Sequence, residues 1–348
     1  SDLLTWSGGA STDLMQRLEW FWGANWVGGI PPANPTMGTL TFSDVGAVLD
    51  ESITNAPDRD WAVGGITVSN TSNAHNTDLG GHTLTVNGQM RVGMNIVGSK
   101  ASMTNGTLKF GTVGYPADLF VGYAPGWDAA CSGVLSLPGA ALDANFNVLR
   151  VGNSHEHGLV GNGTLDLTGA TIVGGKFSAN EMHIGLGNAS QGYVKIPEAA
   201  GLTDLTVTSI LRIGTYRGRT GRIGDPDNGY KLPPDVNVTL GKWGDTRCNI
   251  DMGWAVYADS ISDGRLVAAS GGTCSAYIGT MRLGYHPAGN VDWQANGWGT
   301  GVIDLSAMDS ITMDANEILL NSAAPVATGG HNDGRGHLYL PQIGRAHV

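Results

Sequence analysis

The chain has 348 residues, of which 41% are hydrophobic and only 14% are charged, with a formal net charge of −11. This negative charge leaves no basic field for phosphate groups, so the composition argues against a nucleic-acid partner. The apolar content is too high for disorder, and the 54 glycines do not recur at every third position as collagen requires. We therefore expect a folded chain with a surface rich in Thr, Ser, Asn and Gly.

The first 37 residues lack the repeat that fills the rest of the chain. They hold four of the ten tryptophans, Trp6, Trp20, Trp22 and Trp26. A stacked repeat fold needs a cap over the open end of its core. We predict that residues 1–37 form a Trp-rich N-terminal cap or assembly segment. Its tryptophans either plug the core or present an aromatic patch to another subunit.

From residue 38 to residue 340, a four-residue phrase recurs: an apolar residue, any residue, an apolar residue and glycine. Consecutive glycines of this phrase are 29, 29, 30, 33, 29, 39 and 31 residues apart. A fixed period in this range indicates a solenoid. The eight phrases span residues 61–64, 90–93, 119–122, 149–152, 182–185, 211–214, 250–253 and 281–284.

Each phrase has the alternation of a β-strand, and its glycine marks a bend with positive φ or a close backbone approach. A second short strand opens on a glycine of its own, as in Gly133–Leu137 and Gly163–Leu167, and Gly38–Phe42 and Gly106–Phe110 fit the same slot. A β-propeller blade is disfavoured because its four strands leave almost no loops in 29 residues. We predict an all-β, single-stranded parallel β-helix of about nine coils over residues 38–340.

The variable residue of each phrase should point outward, and like positions should stack from coil to coil. We call this set the charge column. Arginines two coils apart would be about 10 Å from each other, which weakens their repulsion at physiological salt. The column is either a self-satisfied surface ladder or a stripe that receives acidic residues of another subunit or an acidic glycan. In chain order its members are Ala62, Arg91, Phe120, Arg150, His183, Arg212, Asp251 and Arg282.

Two contacts between neighbouring side chains of this column are predicted. Phe120 lies between Arg91 and Arg150, and its ring offers them a cation–π face. Asp251 lies between Arg212 and Arg282 and can pair with either arginine. Both contacts depend on the phrases being in register.

Two insertions and a short tail interrupt the repeat. Residues 215–235 are rich in arginine, including Arg217 and Arg219, and residues 285–300 contain Trp293 and Trp298. Insertions of solenoids gather on the surface and often bind ligands, and aromatic rings stack on sugar rings. The two loops are therefore either a sugar-binding surface or plain loops packed on the flank. Residues 341–348 are expected to form a C-terminal tail that can add a strand to a neighbour.

The sequence nominates no catalytic residue, metal ligand or cofactor site. Cys131, Cys248 and Cys274 form no disulfide framework; buried free thiols are the expected state, and a Cys248–Cys274 bridge is the alternative. His155 and His157 could form a metal pair on a strand, but they lie in a predicted turn without a third ligand. The chain is therefore not expected to be an enzyme, although a β-helix lyase or glycosidase stays open.

The repeat resembles a known class of proteins. Trp6–Gly9, Asn25-Trp26 and Leu40–Phe42 are similar to the way many of these solenoids begin, and a Val/Ile/Leu-Gly phrase followed by Gly-x-Leu-x-Leu is similar to their coils. The chain thus resembles the glycine-rich β-solenoid repeat proteins of bacterial cell surfaces, such as autotransporter passengers and sorting-signal-anchored exoproteins. The resemblance implies an extracellular surface, adhesive or structural role, and it brings no catalytic residue.

We therefore expect an extracellular structural protein, a subunit of a cell-surface fibre or sheath that assembles with itself by head-to-tail or strand-donation contacts. The alternative is a protein that binds or degrades cell-surface polysaccharide. No run of 18 apolar residues predicts a membrane span. The sequence begins at Ser1 without Met, and we expect a mature product from which a signal segment has been removed.

Overall fold

The structure is a computed structural model of the chain. It describes residues 3–8, 19–45, 53–71, 73–112, 114–155, 158–216, 219–254, 261–285, 298–322 and 333–341. Within these ranges the chain is built from β-strands and three one-turn 3₁₀ helices, Gly23–Asn25, Glu198–Ala200 and Pro226–Asn228. This composition confirms the all-β prediction.

The strands follow one another in short alternating segments along the chain. The first eleven are β1 (Leu3–Thr5), β2 (Thr36–Phe42), β3 (Trp61–Val68), β4 (His75–Asp78), β5 (Thr83–Met94), β6 (Ser99–Thr104), β7 (Thr107–Phe110), β8 (Ala117–Tyr123), β9 (Cys131–Ser136), β10 (Ala141–Asn153) and β11 (Gly161–Asp166). The next eleven are β12 (Thr171–Leu186), β13 (Gln191–Lys195), β14 (Asp204–Thr215), β15 (Thr220–Gly224), β16 (Asn237–Leu240), β17 (Cys248–Met252), β18 (Ile261–Val267), β19 (Thr273–Tyr285), β20 (Trp298–Asp304), β21 (Ser310–Ser322) and β22 (Asp333–Tyr339).

These strands form two parallel sheets that wind around a common interior. The first sheet has 13 strands, including β1, β2, β3, β5, β10, β12 and β14, and the second has nine, in the order β22-β20-β18-β15-β13-β11-β9-β6-β4. From β3 onward each turn of the chain adds to both sheets, whereas β1 and β2 add to the first sheet only. Because all named strands pair in parallel, the fold is a parallel β-helix. The nine strands of the second sheet agree with the predicted number of coils.

The interior is a continuous file of apolar side chains, as the sequence predicts. Val92 pairs with Val121, Val121 with Val151, and Val151 with Ile184. All four side chains are fully buried. Burial of apolar surface contributes about 25 cal/mol per Å², so this file and its neighbours supply the main driving force for stacking. The file continues through Ile213, Met252 and Leu283.

The glycine that ends each of the last seven phrases closely approaches the backbone of a second-sheet strand. Gly152 has a φ of 66°, the left-handed region that favours glycine. A Cβ built on Gly152 would lie 2.8 Å from the Cα of Gly192, the glycine that opens the second-sheet strand of the next coil. The repeat therefore needs glycine on both sides of this contact. Sequence alternation alone does not reveal that the two glycines face each other.

The first predicted phrase is out of register. Ala62 pairs with Thr85, whereas Thr67 is the residue that pairs with Arg91. A register shift between Val63 and Gly65 separates the two halves of β3. The true rung is Ile66-Thr67-Val68, which has the same alternation as the residues before the shift, so the pattern could not distinguish them.

Two further assignments of the sequence analysis are wrong. Gly38–Phe42 and Gly106–Phe110 do not belong to the second sheet, because β2 and β7 pair within the first sheet. The second-sheet strand beside β9 is β6, whose Ala101 pairs with Leu135. Within the predicted cap of residues 1–37, β1 pairs in parallel with β2 and adds a strand to the end of the first sheet. Apolar alternation reports burial of one face and carries no information on the pairing partner.

Candidate functional site

The charge column exists as one residue per coil on the outer side of the first sheet. Each member pairs with the next in register, from Arg91 through Phe120, Arg150, His183, Arg212 and Asp251 to Arg282. Alternation directs these side chains away from the core, as predicted. However, Phe120, His183 and Asp251 are buried by their neighbours rather than exposed. The column is thus a packed layer in which each side chain covers the next.

In the N-terminal (upper) part of the column, which runs from Arg91 to Arg150, aromatic rings pack against an arginine side chain. The Arg150 guanidinium carbon lies 5.6 Å from the ring centre of Phe120 and 5.0 Å from that of Tyr123. The predicted cation–π face of Phe120 is therefore used by Arg150. Arg91 instead donates from Nε to the side-chain oxygen of Gln89. The two upper arginines have no acidic partner in the part of the chain that the structure describes.

His183 occupies the middle of the column as a buried imidazole. Only 2% of its side chain is exposed, and its Nε2 lies 3.1 Å from Oε2 of Glu181. Burial lowers the pKa of His183 below its ordinary value of 6.5, and the positive charges of Arg150 and Arg212 lower it further, against the raising effect of Glu181. The contact with His183 in turn lowers the pKa of Glu181.

The lowered pKa of His183 predicts a loss of stability in mild acid. The unfolded chain takes up a proton near the ordinary pKa of 6.5, whereas the folded chain does so only at lower pH. The contribution of this group to stability is therefore complete above the unfolded pKa of 6.5 and is lost as pH falls from there through the folded pKa. The slope is up to about 1.4 kcal/mol per pH unit. His75 has a lowered pKa for the same main reason and adds a second term. Urea unfolding measured from pH 7.5 to 5 should show this decrease in the free energy of unfolding. In His183→Gln the slope should be smaller by the contribution of one proton. A slope in the variant equal to that of the wild type would mean that His183 takes up its proton at the same pH in the folded and unfolded chains.

The lower part of the column is an ion-pair bridge. Asp251 accepts from Nε of Arg212 at 3.1 Å and from Nη1 of Arg282 at 3.1 Å, so it pairs with both arginines. Its carboxylate is 4% exposed, whereas the two arginine side chains keep 28% and 33% of their surface in solvent. Rings of Tyr216 and Trp254, 4.7 Å apart, lie beside the two guanidinium groups.

These contacts mean that the charge column mainly joins each coil to the next. Its anionic groups, Asp251 together with Glu181 beside it, are already engaged by the column's own bases, and the rings of Phe120 and Tyr216 cover arginine faces. The self-satisfied alternative is therefore the better description of these side chains. Reception of acidic groups by this stripe stays a hypothesis, and only its upper end lacks an internal acid among the described residues.

The N-terminal tryptophans divide into two sets. Trp6, Trp20 and Trp26 are buried, and the Trp26 ring packs edge-on against the other two at 5.3 and 6.3 Å. These three rings plug the first coil, with Nε1 of Trp20 donating to Asn55 and Nε1 of Trp26 to the Trp20 carbonyl. Trp22 stays 38% exposed, and Phe21 beside it is 52% exposed. The plug and the aromatic patch are thus both present, on different side chains.

The last coil leaves inward positions uncovered, a feature that the sequence analysis missed. Ile318 pairs with Met281 and Leu320 with Leu283. Met281 and Leu283 are fully buried, yet Ile318 is 39% and Leu320 is 42% exposed. Nothing in the described part of the chain stacks on the far side of β21. The burial of Ile318 and Leu320 depends on whether a further coil stacks on β21, and the sequence of β21 itself does not show this.

The structure also reveals an aromatic cluster that the sequence analysis did not single out. Trp243 lies in the loop of residues 241–247, between β16 and β17, and is 45% exposed. Its Nε1 donates to Oγ of Ser275 at 2.7 Å, and its ring packs against Tyr277. The available signal was the longest glycine step of the repeat, 39 residues, which reflects an insertion at this coil.

Residues 215–235, predicted to be an inserted loop, are described except for 217–218 and contain strand β15 of the second sheet. Most of residues 285–300, from 286 to 297, falls outside the described part. Arg217 and Trp293 are therefore outside it, as is the side chain of Trp298, whose backbone begins β20. Arg219 is exposed on the surface. Asp225 accepts from the backbone N–H of Asp227 and caps the 3₁₀ turn Pro226–Asn228, so these two carboxylates belong to a turn. The tail of residues 342–348 is also outside the described part.

Within the part of the chain that the structure describes, the cysteines and histidines offer no reactive site. Cys131, Cys248 and Cys274 are buried free thiols, and burial raises the pKa of each to about 12. The alternative Cys248–Cys274 bridge is therefore wrong. The His155 ring stacks on Trp127, and His157 lies outside the described residues. Among the residues that the structure describes, no group of three potential ligands could hold a metal ion.

Comparison with models of protein families, with curated proteins and with solved structures gives no match. Within the described ranges, no helix is both long and apolar enough to cross a lipid bilayer.

Proposed function

We propose that the protein is an extracellular structural subunit that assembles head to tail into a fibre or sheath. The observation that carries this proposal is the uncovered end of the solenoid, where Ile318 and Leu320 repeat the inward register of buried residues but remain about 40% exposed. A second copy stacked on β21 would bury them as every earlier coil buries its own. A stack of parallel strands can continue in this way without changing its geometry.

The two ends of the molecule differ, which favours open growth over a closed dimer. At the N-terminal end β1 pairs only with β2 among the described strands, and the cap segment that follows β1 carries exposed apolar side chains, including Phe21, Val27 and Ile30. A contact between unlike ends is heterologous, and a heterologous contact that does not close on itself produces filaments. The free edge of β21 among the described strands provides backbone groups for this contact, whereas the outer edge next to β1 is partly covered by hydrogen bonds from Val27 to Thr5 and from Ser7 to Asn25.

An extracellular location is part of this proposal. Its support is the low content of charged residues, 14%, and the resemblance of the repeat to bacterial surface solenoids. Protease treatment of intact source cells should remove the protein if it lies on the surface. Protection from protease until the cells are broken would contradict this location.

The assembly is tested with Leu320→Lys. A lysine at the uncovered end places a charge in the proposed interface, so association should weaken at least about tenfold, because an unpaired charge is costly to bury. Light scattering after gel filtration and negative-stain images over a range of concentrations measure the effect. Val173→Lys is the matched control, since Val173 is also 42% exposed but lies in the middle of the stack.

A mixing experiment distinguishes unlike-end contacts from like-end contacts. A Leu320→Lys copy retains an intact N-terminal end, so it should add once to a growing wild-type filament and stop growth there. Substoichiometric variant should therefore shorten wild-type filaments. Wild-type protein that stays monomeric at high concentration, or Val173→Lys that weakens association as much as Leu320→Lys, would overturn the proposal.

A further inference from the structure

Trp243 is an exposed aromatic ring whose position is fixed. Its polar edge is occupied by the hydrogen bond from Nε1 to Ser275, and its ring lies 5.1 Å from that of Tyr277 at an interplanar angle of 32°. The part that remains 45% exposed is therefore apolar ring surface. A ring that is already held in place loses little conformational freedom when a ligand packs on it.

Tyr277, which supports Trp243, is itself held by Arg247 at the end of the same loop. The Arg247 guanidinium carbon lies 3.8 Å from the centre of the Tyr277 ring. Arg247 also donates to the carbonyl of Ile278 at 2.7 Å and pairs with Asp314 at 3.1 Å. The loop of residues 241–247 is closed by an antiparallel bridge between Lys242 and Thr246. These contacts hold the cluster in place, and none of them uses the exposed outer face of the Trp243 ring.

A row of hydroxyl groups leads along the sheet to this ring. One hydroxyl residue per coil occupies the same outward register, and the residues on either side of each point into the core. The spacing between coils is about 4.8 Å, so the row offers a hydroxyl at each step. Each hydroxyl both donates and accepts hydrogen bonds. The row consists of Ser178, Thr206, Thr239, Ser275 and Thr312.

The charges around the ring cancel locally. Arg247 pairs with Asp314, and Lys242 pairs with Asp245 at 2.6 Å. The surface beside Trp243 thus has no excess charge that would select an acidic or basic ligand. A pyranose ring has an apolar face of C–H groups and a rim of hydroxyls, which matches an apolar ring face beside a row of hydroxyls.

We propose that Trp243 and the hydroxyl row bind a neutral polysaccharide that lies along the stack, with one sugar ring packed on the exposed face of Trp243. This site is separate from the uncovered end at β21 and does not depend on the assembly proposed above. It assigns a surface-attachment activity to a protein whose proposed function is structural. The acidic glycan considered for the charge column is a different ligand at a different row of residues on the first sheet.

Native affinity electrophoresis tests the site, with hydroxyethylcellulose or laminarin as neutral probes and polygalacturonate as the acidic probe. The monomeric Leu320→Lys protein is the background for all variants, so that failure of assembly and failure of glycan binding are measured separately. We expect at least one neutral glucan to retard this protein and polygalacturonate to leave its mobility unchanged.

Trp243→Ala should raise the dissociation constant for the neutral glucan at least about tenfold. Trp243→Tyr, which keeps an aromatic face, should recover part of the affinity, and Thr239→Val should weaken binding by a smaller factor. The matched control is Trp127→Ala, because Trp127 is 60% exposed and also stacks on a neighbouring ring, that of His155. Absence of retardation by both neutral glucans, equal retardation by polygalacturonate, or equal loss in Trp127→Ala and Trp243→Ala would overturn the proposal.

Discussion

Gly152→Ala should destabilise the solenoid by about 4 kcal/mol or more, which is exceptional for the addition of one methyl group. The new Cβ would lie 1.8 Å from the carbonyl oxygen of Gln191 and 2.8 Å from the Cα of Gly192. These are backbone atoms of the neighbouring coil, so relief requires the two sheets to separate. The separation would open the file of Val121, Val151 and Ile184 that holds the coils together. Urea unfolding followed by far-UV circular dichroism measures the loss.

Gly139→Ala is the matched control for this prediction. Gly139 has a φ of 73°, close to the 66° of Gly152, but a Cβ there meets no atom within 4 Å. The control therefore measures the conformational cost of a left-handed alanine alone, about 1 to 2 kcal/mol. The difference between the two variants is the cost of the steric contact. Equal losses would show that conformation rather than sheet contact explains the glycine of the repeat.

The repeat was predictable because stacked coils impose the same local requirement again and again. An apolar, variable, apolar, glycine phrase places two side chains inside and bends the chain, and seven of the eight phrases occupy equivalent rungs. The exception lies in β3, where a bulge shifts the register after Val63. A bulge changes pairing without changing alternation, so neither residue types nor their period could reveal it.

What the sequence could not supply was contact across coils. The burial of His183 follows from Arg150 and Arg212 on either side, and the exposure of Leu320 follows from the lack of a described coil beyond it. Both residues occupy positions that look ordinary in their own phrase. The Trp243 cluster joins a loop to side chains 32 and 34 residues further on, Ser275 and Tyr277. Such contacts depend on which loop folds over which rung, and period alone leaves this open.

The charge column shows where sequence reasoning about pairs succeeds. Once the register was fixed, the partners of Phe120 and Asp251 followed from their neighbours in the stack. These residues point outward as predicted, and their burial has a physical reason that the sequence analysis did not consider: long arginine side chains lie along the sheet and cover the residue of the next coil. Their charged ends remain partly in water, while the shorter side chains between them are buried. The column therefore ties adjacent coils together from outside the core.

Asp251→Asn tests how much this external tie contributes. The substitution keeps the size of the side chain but removes the charge that engages Arg212 and Arg282. We expect a loss of about 2 kcal/mol, because hydrogen bonds between charged groups are strong but the two arginines can still reach solvent. The loss should persist in 1 M salt, since a buried carboxylate is screened much less than an exposed one. Urea unfolding at low and high salt measures both quantities.

The partners of Asp251 determine whether the loss comes from the bridge itself. In a double-mutant cycle, Arg282→Gln and Asp251→Asn should lose less together than the sum of their separate losses, because the second substitution removes an interaction that is already broken. Asp245→Asn is the control, since its pair with Lys242 is equally close but exposed, and its removal should not change stability measurably. Additive losses in the cycle would mean that Asp251 stabilises the stack through its burial and shape, and that the guanidinium groups on either side are held by Tyr216 and Trp254.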